Sequence, residues 1–171
     1  MITSYYQGKN NIEYGVGESK HYLNIYEPKS GYLSYEGAYQ GNVEITYWNK
    51  SDGTKLVACT QTACGPMCEQ NISFYIYTEK KLSKIDNSNI LPTILISDYL
   101  DIDAMKKDGI DLKEAYRLFN QYPLIYNLPS SGKNITVESQ FQEVDLPDGW
   151  EKYDLGWEIE IIWNDGLFIK K

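Results

Sequence analysis

Apolar and polar residues alternate along several short stretches of this 171-residue chain, and turn residues separate those stretches. Residues 43–48 and 157–163 show the pattern most clearly. Because successive side chains of a strand point to opposite faces of its sheet, a period of two predicts strands with one buried face. After residues 43–48, Asp52-Gly53 supplies the positive φ that a tight hairpin requires. The chain is therefore predicted to be mainly β, with antiparallel neighbours.

Stretches of this kind follow one another at short spacing. The predicted strands are 21–26, 32–39, 43–48, 55–60, 72–77, 124–128, 133–141, 157–163 and 167–169. Consecutive short strands joined by hairpin turns favour a meander. We expect one domain over residues 1–171, built as an antiparallel sandwich or a curved-sheet meander. Residues 1–19 are polar and spaced by glycine, and they predict an irregular N-terminal arm.

One helix is predicted inside this strand-rich sequence, over residues 111–121. Asp111 is followed three residues later by Glu114, which is the pattern of a capping box. An apolar stripe at helical spacing comes next, and the helix ends before Pro123. Residues 98–108 favour one or two further helical turns. The expected fold class is therefore mainly β within α+β, with one inserted helix.

The charge of the chain excludes one class of partner. It has 24 Asp and Glu residues against 16 Lys and Arg, which gives a formal net charge of −8. Nucleic-acid binding requires a basic face, and Arg117 is the only arginine that could contact a phosphate with two parallel hydrogen bonds. No apolar stretch approaches the ~20 residues that a membrane-spanning helix requires. We expect neither a nucleic-acid partner nor a transmembrane segment.

The three cysteines, Cys59, Cys64 and Cys68, share one short segment. The sequence from Cys64 to Cys68 is one residue longer than the thioredoxin-type Cys-Gly-Pro-Cys motif, and no helix is predicted after it. A closed zinc site needs four ligands, which would require the distant His21. We expect a Cys64–Cys68 disulfide that pins a hairpin loop, with Cys59 as a small buried residue and with no metal or cofactor. A redox pair and a metal site are the alternatives.

Acidic residues raise two further hypotheses, a calcium-binding loop and a pair of carboxylates for glycoside cleavage, and the spacing of such a pair depends on the fold. Asp98, Asp101 and Asp103 precede positions that lack the oxygen ligand and the glycine of an EF-hand loop, so we expect no calcium site there. Glu158 and Glu160 share one face of a strand, where alternation predicts the solvent side. The single histidine is not accompanied by a nucleophile-elbow motif. No residue is predicted to be catalytic.

Aromatic side chains are the strongest indication of a binding site. Trp48, Tyr75 and Tyr77 fall on the faces opposite the aliphatic residues of their strands, so we expect exposed rings. Large rigid rings with polar tips suit both sugar faces and protein partners. These three are the candidate ligand-binding residues. The alternative is that both faces of the sheet are covered and that the rings belong to the core.

Two hairpins of the chain resemble each other. Trp48-Asn49 leads to Asp52-Gly53, and Trp163-Asn164 leads to Asp165-Gly166. Two copies do not make a repeat protein. A general preference of hairpins for aromatic strands and Asp-Gly turns is a sufficient explanation.

Several segments together resemble one group of proteins. They are Tyr47-Trp48-Asn49 with Asp52-Gly53, residues 55–58, Cys64-Gly65-Pro66 with Cys68, Phe74-Tyr75 with Tyr77, and Leu128-Pro129 with Gly132-Lys133. Over most of the chain, this combination resembles uncharacterised exported or lipid-anchored proteins of Bacteroides-like gut bacteria. The resemblance implies export, and it carries over no catalytic residue.

We expect a non-enzymatic binding or interaction module outside the cytoplasm, in the periplasm, on the cell surface or secreted. Its ligand would be a carbohydrate or a protein. Residues 1–6 show no export signal, so this location assumes that a signal has been removed. One alternative is a small hydrolase that acts through carboxylates in a cleft beside the helix. Another is an acidic cytoplasmic inhibitor of a basic toxin.

Overall fold

A computed structural model describes residues 12–14, 21–36, 41–142 and 146–171. Within them lie eleven strands, two α-helices and several short 3₁₀ turns. The strands are β1 (Ile12–Tyr14), β2 (His21–Glu27), β3 (Tyr32–Glu36), β4 (Gly41–Asn49), β5 (Lys55–Cys64), β6 (Cys68–Thr78), β7 (Lys81–Ile85), β8 (Leu124–Asn127), β9 (Ile135–Ser139), β10 (Glu158–Asn164) and β11 (Leu167–Lys170). The helices are α1 (Ile102–Lys107) and α2 (Lys113–Gln121), and the 3₁₀ turns are Asn87–Asn89, Ile96–Asp98, Gln140–Gln142 and Glu151–Tyr153.

The strands form two antiparallel sheets. Strands β1 to β7 pair in chain order in the first sheet, which has seven strands. The second sheet has four strands in the order β11, β10, β9, β8. The mainly β, antiparallel fold that the alternation predicted is confirmed, and the first sheet is a meander.

Two helices lie between β7 and β8, where one inserted helix was expected, and α1 falls within residues 98–108, for which one or two helical turns were predicted. In α1, the Asp101 carboxylate accepts a hydrogen bond from the Ala104 amide at 2.9 Å and so caps the first turn. The second helix coincides with most of the predicted range. Its Glu114 is not part of a capping box, because it forms an ion pair with Arg117 at 2.6 Å.

Two strands were not predicted. Ile12–Tyr14 forms β1, although residues 1–19 were expected to be irregular; the other residues of that segment lie outside the described ranges. Strand β7 (Lys81–Ile85) is mostly exposed along its length, so it has no alternation of apolar and polar residues to detect. Exposed lysines are common on such edge strands.

The two sheets share one buried cluster. Its members from the first sheet are Tyr32, Trp48, Leu56, Ala58, Ile72 and Phe74, and those from the second are Ile135, Val137, Ile161 and Phe168. A second cluster lies under the helices and contains Tyr99, Leu100, Met105, Leu118 and Phe141 among others. Ile94, Leu124 and Ile159 pack against both clusters and join them.

Four aromatic rings form the centre of the shared cluster. Trp48 stacks on Trp163 with ring centroids 5.6 Å apart, and Phe168 lies edge-on to both at 5.1 and 5.4 Å. Phe74 contacts Phe168 at 6.3 Å. The Trp48 indole also donates a hydrogen bond to the Lys133 carbonyl at 2.8 Å, so its polar group is satisfied in the interior. This arrangement joins the two sheets at one end.

The two similar hairpins meet at this same end. The Asp165 carboxylate accepts hydrogen bonds from the Ser51 amide at 2.8 Å and from the Ser51 hydroxyl at 2.5 Å. These bonds from Ser51 hold the pKa of Asp165 below its ordinary range. The resemblance between the hairpins therefore coincides with a direct contact between their turns.

At the opposite end, two glutamine side chains join the first sheet to its neighbours. Gln140 accepts from the Cys68 amide at 3.0 Å and donates to the carbonyls of Cys68 and Pro123 at 2.7 and 3.1 Å. Gln70 accepts from the Tyr126 amide at 2.7 Å and donates to its carbonyl at 3.2 Å. Each glutamine side chain thus bonds to the amide and the carbonyl of one residue, in the way that a neighbouring strand would.

We expect Gln140→Glu to destabilise the fold by about 2–4 kcal/mol, because an oxygen would replace the buried amide that donates to two carbonyls. Urea unfolding would measure the loss. The exposed Gln61→Glu, the same change without these bonds, is the control and should cost little. Equal losses in both variants would contradict the role given to Gln140.

We expect Asp165→Asn to lower the free energy of unfolding at neutral pH, because the amide cannot accept both bonds from Ser51. Asn tolerates the positive φ of 43° at this position. Since the folded-state pKa is lowered, the contribution of the carboxylate is full above the unfolded pKa of ~3.9 and is lost as pH falls through the folded value. The free energy of unfolding, measured from pH 7 to pH 2, should differ less between the unchanged protein and Asp165→Asn as the pH falls. A difference independent of pH would contradict this account, and the exposed Asp103→Asn is the control.

Candidate binding surface

The side of the seven-stranded sheet that faces away from the second sheet is rich in apolar residues, and we call it the outer face. Residues opposite each other in the ladder lie on the same face, so the register defines it. Its cross-strand rows are Asn49–Lys55–Tyr77–Leu82, Tyr47–Val57–Tyr75–Lys84, Leu33–Ile45–Cys59–Ser73, Tyr35–Val43–Gln61–Asn71 and Gly41–Ala63–Glu69. Both buried clusters lie on the other side, and no described helix or strand packs on this one.

Many of these side chains are half-buried by their neighbours in the sheet, and exposed ones lie at both ends of the face. Tyr77 is 38% exposed and Leu82 is 58% exposed. Contiguous apolar surface of this extent on a protein marks a site of interaction. The outer face is therefore the candidate binding surface.

Two of the three predicted aromatic residues lie on this surface, and the third does not. Tyr75 and Tyr77 project from β6 on the outer face, as expected from the alternation. Trp48 is only 3% exposed, so the expectation of an exposed ring is wrong for it. In β4 it is Val43 and Ile45 that face outward, and Trp48 lies in the shared cluster. Of the three predicted rings, only that of Trp48 belongs to the core.

Tyr47 is a further aromatic residue of the outer face. The Lys55 ammonium lies 4.2 Å from the centroid of its ring, which is a cation–π contact. The ring also fills the place where Gly31 would carry a side chain, since a Cβ there would come within 2.4 Å of it. The absence of a side chain at Gly31 thus leaves room for the ring.

A hollow of about 490 Å³ lies at the far end of the outer face. Small residues, Gly41 and Ala63, form its floor, and Tyr35 with the amides of Gln61 and Asn71 lines its sides. The outer face therefore carries large rings at one end and a depression at the other.

The predicted Cys64–Cys68 disulfide is present, and it closes the tip of the β5–β6 hairpin beside this hollow. Cys59 is a free thiol, half-buried in the middle of the outer face. Burial raises the pKa of this thiol. Among the described residues no cluster of three or more potential ligands could hold a metal ion.

The cleft beside the helices is larger, at about 640 Å³, but its acids have structural roles. Asp101 caps α1, and Asp103 pairs with Lys106 across 3.5 Å. Nearby, hydrogen bonds from Lys152 and then Tyr153 hold the pKa of Asp108 below its ordinary range. Glu158 and Glu160 are exposed on the other sheet, as predicted.

His21 lies in β2, and its side chain is outside the described residues. Across the described part of the chain, the helices are all too short or too polar to cross a membrane.

No family model matches the sequence, and no curated protein matches it. Among solved structures the chain is similar to a domain of an uncharacterised protein from Porphyromonas gingivalis W83. The similarity has a TM-score of 0.70 at 12% sequence identity, and it covers 96% of this chain and 84% of that one. At this identity the likeness shows the fold alone.

Sequence reasoning missed Tyr47, Ile45 and Val43 as surface residues. The available signal was that β5 is apolar on both faces, in the unbroken run Leu56-Val57-Ala58. A strand with two apolar faces predicts that both are covered.

We expect Gly31→Ala to destabilise the fold by about 1–3 kcal/mol and to displace the Tyr47 ring, because φ is +78° there and the ring occupies the Cβ position. Gly53→Ala is the matched control, since Gly53 has φ +83° but open space around it. Thermal unfolding and tyrosine fluorescence would measure both effects. Equal losses at the two glycines would show that the ring contact contributes nothing.

Proposed function

We propose that this protein is a non-enzymatic interaction module whose outer face binds a protein partner outside the cytoplasm. The observation that carries the proposal is the apolar and aromatic outer face, which no described element covers. Burying such a surface is the main source of affinity in protein association.

The composition of the outer face supports a protein more than a glycan. Its central row contains Leu33 and Ile45, and Val57 lies in the row beside them. Aliphatic side chains give no flat platform for a sugar ring, whereas they are typical of the buried centre of protein interfaces. Tyr75 and Tyr77 would provide the aromatic contacts that often dominate binding energy.

The proposed location and architecture rest on separate observations. The Cys64–Cys68 disulfide supports an oxidising compartment, and therefore export. The cluster shared by the two sheets supports a β-sandwich. The proposed relation to exported proteins of Bacteroides-like bacteria has support at the level of fold alone, from the Porphyromonas gingivalis domain.

The two alternative functions have less support. A hydrolase would need a carboxylic acid free to transfer protons, whereas the acids beside the helical cleft are engaged in a cap and in ion pairs. A cytoplasmic inhibitor would be favoured by three free thiols, and two of the three cysteines are joined instead.

Photo-crosslinking in the cells that make this protein would test the proposal. A benzophenone side chain replacing Val57 on the outer face should give an adduct with one defined protein. The same group replacing Thr136, on the outward side of the second sheet, is the matched control and should not. Adding Tyr75→Ala or Tyr77→Ala should weaken binding about thirtyfold, because a truncated aromatic anchor costs ~2 kcal/mol and each 1.4 kcal/mol is a factor of about ten. Equal yields at both positions, or binding of a polysaccharide without a protein adduct, would contradict the proposal.

A further inference from the structure

We propose that the partner of the outer face is a second copy of this chain. The two outer faces would pack against each other. The two-fold axis would lie between them, parallel to both sheets and perpendicular to the strands, over the central row of Leu33, Ile45 and Cys59. This inference rests on the proposed function, because it names the partner of the same surface. A two-fold contact requires a surface complementary to itself.

The shape of the outer face meets that requirement. The row of Tyr47 and Tyr75 lies on one side of Cys59, and the row of Val43 and Gln61 lies on the other at equal spacing. The proposed rotation exchanges these two rows. The rings of one copy are thereby brought over the hollow of about 490 Å³ in the other copy.

The charges of the outer face favour the same two-fold axis, perpendicular to the strands. Lys55 lies at the ring end, and Glu69 lies at the hollow end on the neighbouring strand. The rotation brings Lys55 of each copy close to Glu69 of the other. An axis parallel to the strands would instead place lysine on lysine, which is unfavourable.

The distribution of charge also explains why this face can bring two acidic molecules together. The chain has a net charge of −8, so two copies repel each other in general. The outer face contains two lysines, Lys55 and Lys84, against the single acid Glu69. Glu158 and Glu160 lie on the second sheet, away from it.

The strands that the rotation superposes set the size of the contact. Strands lie ~4.8 Å apart and rise ~3.3 Å per residue, so β4 to β6, which would face their own counterparts over about nine residues, present about 430 Å² on each copy. Two such faces bury about 860 Å², which is the size of a weak, reversible interface.

Sedimentation equilibrium of the purified chain, over a range of concentrations, tests the proposal. We expect a reversible dimer with twice the mass of one chain. Lys55→Glu and Glu69→Lys should each weaken the dimer about tenfold, and the double variant should restore it, because the swap recreates both pairs. Glu158→Lys on the second sheet is the control and should not weaken the dimer through this face. Circular dichroism would verify that each variant is folded.

The reactivity of the free Cys59 thiol, together with the crosslink from position 57, distinguishes failure of this inference from failure of the proposed function. Because Cys59 lies in the central row, its reaction with a maleimide should slow as protein concentration rises through the dimer range. A monomer at every concentration would overturn the inference, and a crosslink from position 57 to a different protein would then still support the proposed function. A dimer that is insensitive to the charge changes and leaves Cys59 equally reactive would also overturn it.

Discussion

The stacked pair of Trp48 and Trp163 decides which side of the seven-stranded sheet becomes the interior. Trp48 brings β4 against the second sheet, and cross-strand pairing then places Leu56 and Ile76 on the same side. Since side chains alternate, this choice turns Val57 and the other residues of alternate positions outward along the whole sheet. The apolar outer face is therefore a consequence of how the core is built.

Polarity changes along the inner side of the sheet. Near Trp48 the inner side is apolar, whereas farther along it the Tyr32 hydroxyl and the Thr60 hydroxyl both donate to the Glu44 carboxylate. Burial, together with Glu44, raises the pKa of Tyr32, so this phenol remains a hydrogen-bond donor. At the same level of the sheet the outer side carries Ile45. The usual distribution, with apolar side chains inward and polar ones outward, is thus reversed in β4 at this level.

The sequence was sufficient for the kind of fold and for most strands, because alternation and Asp-Gly turns are local signals. The same signals predicted the Cys64–Cys68 disulfide, since residues flanking a hairpin tip are close in space. They failed where the choice depends on distant residues. Alternation in β4 favours Val43 inward, whereas the stacking of Trp48 on Trp163, more than a hundred residues away, turns Trp48 inward instead. The outer face as a site could not be assigned without that choice.

The contacts at the two ends of the first sheet bear on how its outer face would bind. Ser51 and Asp165 hold one end to the second sheet, and the side chains of Gln70 and Gln140 hold the other. Strands β4 to β6 are therefore fixed at both ends, beneath the surface that would meet a partner. Ordering mobile side chains and loops is a major cost of association, and a surface already fixed in its bound shape avoids much of it. A small area can then suffice for reversible association, with little change of backbone on binding.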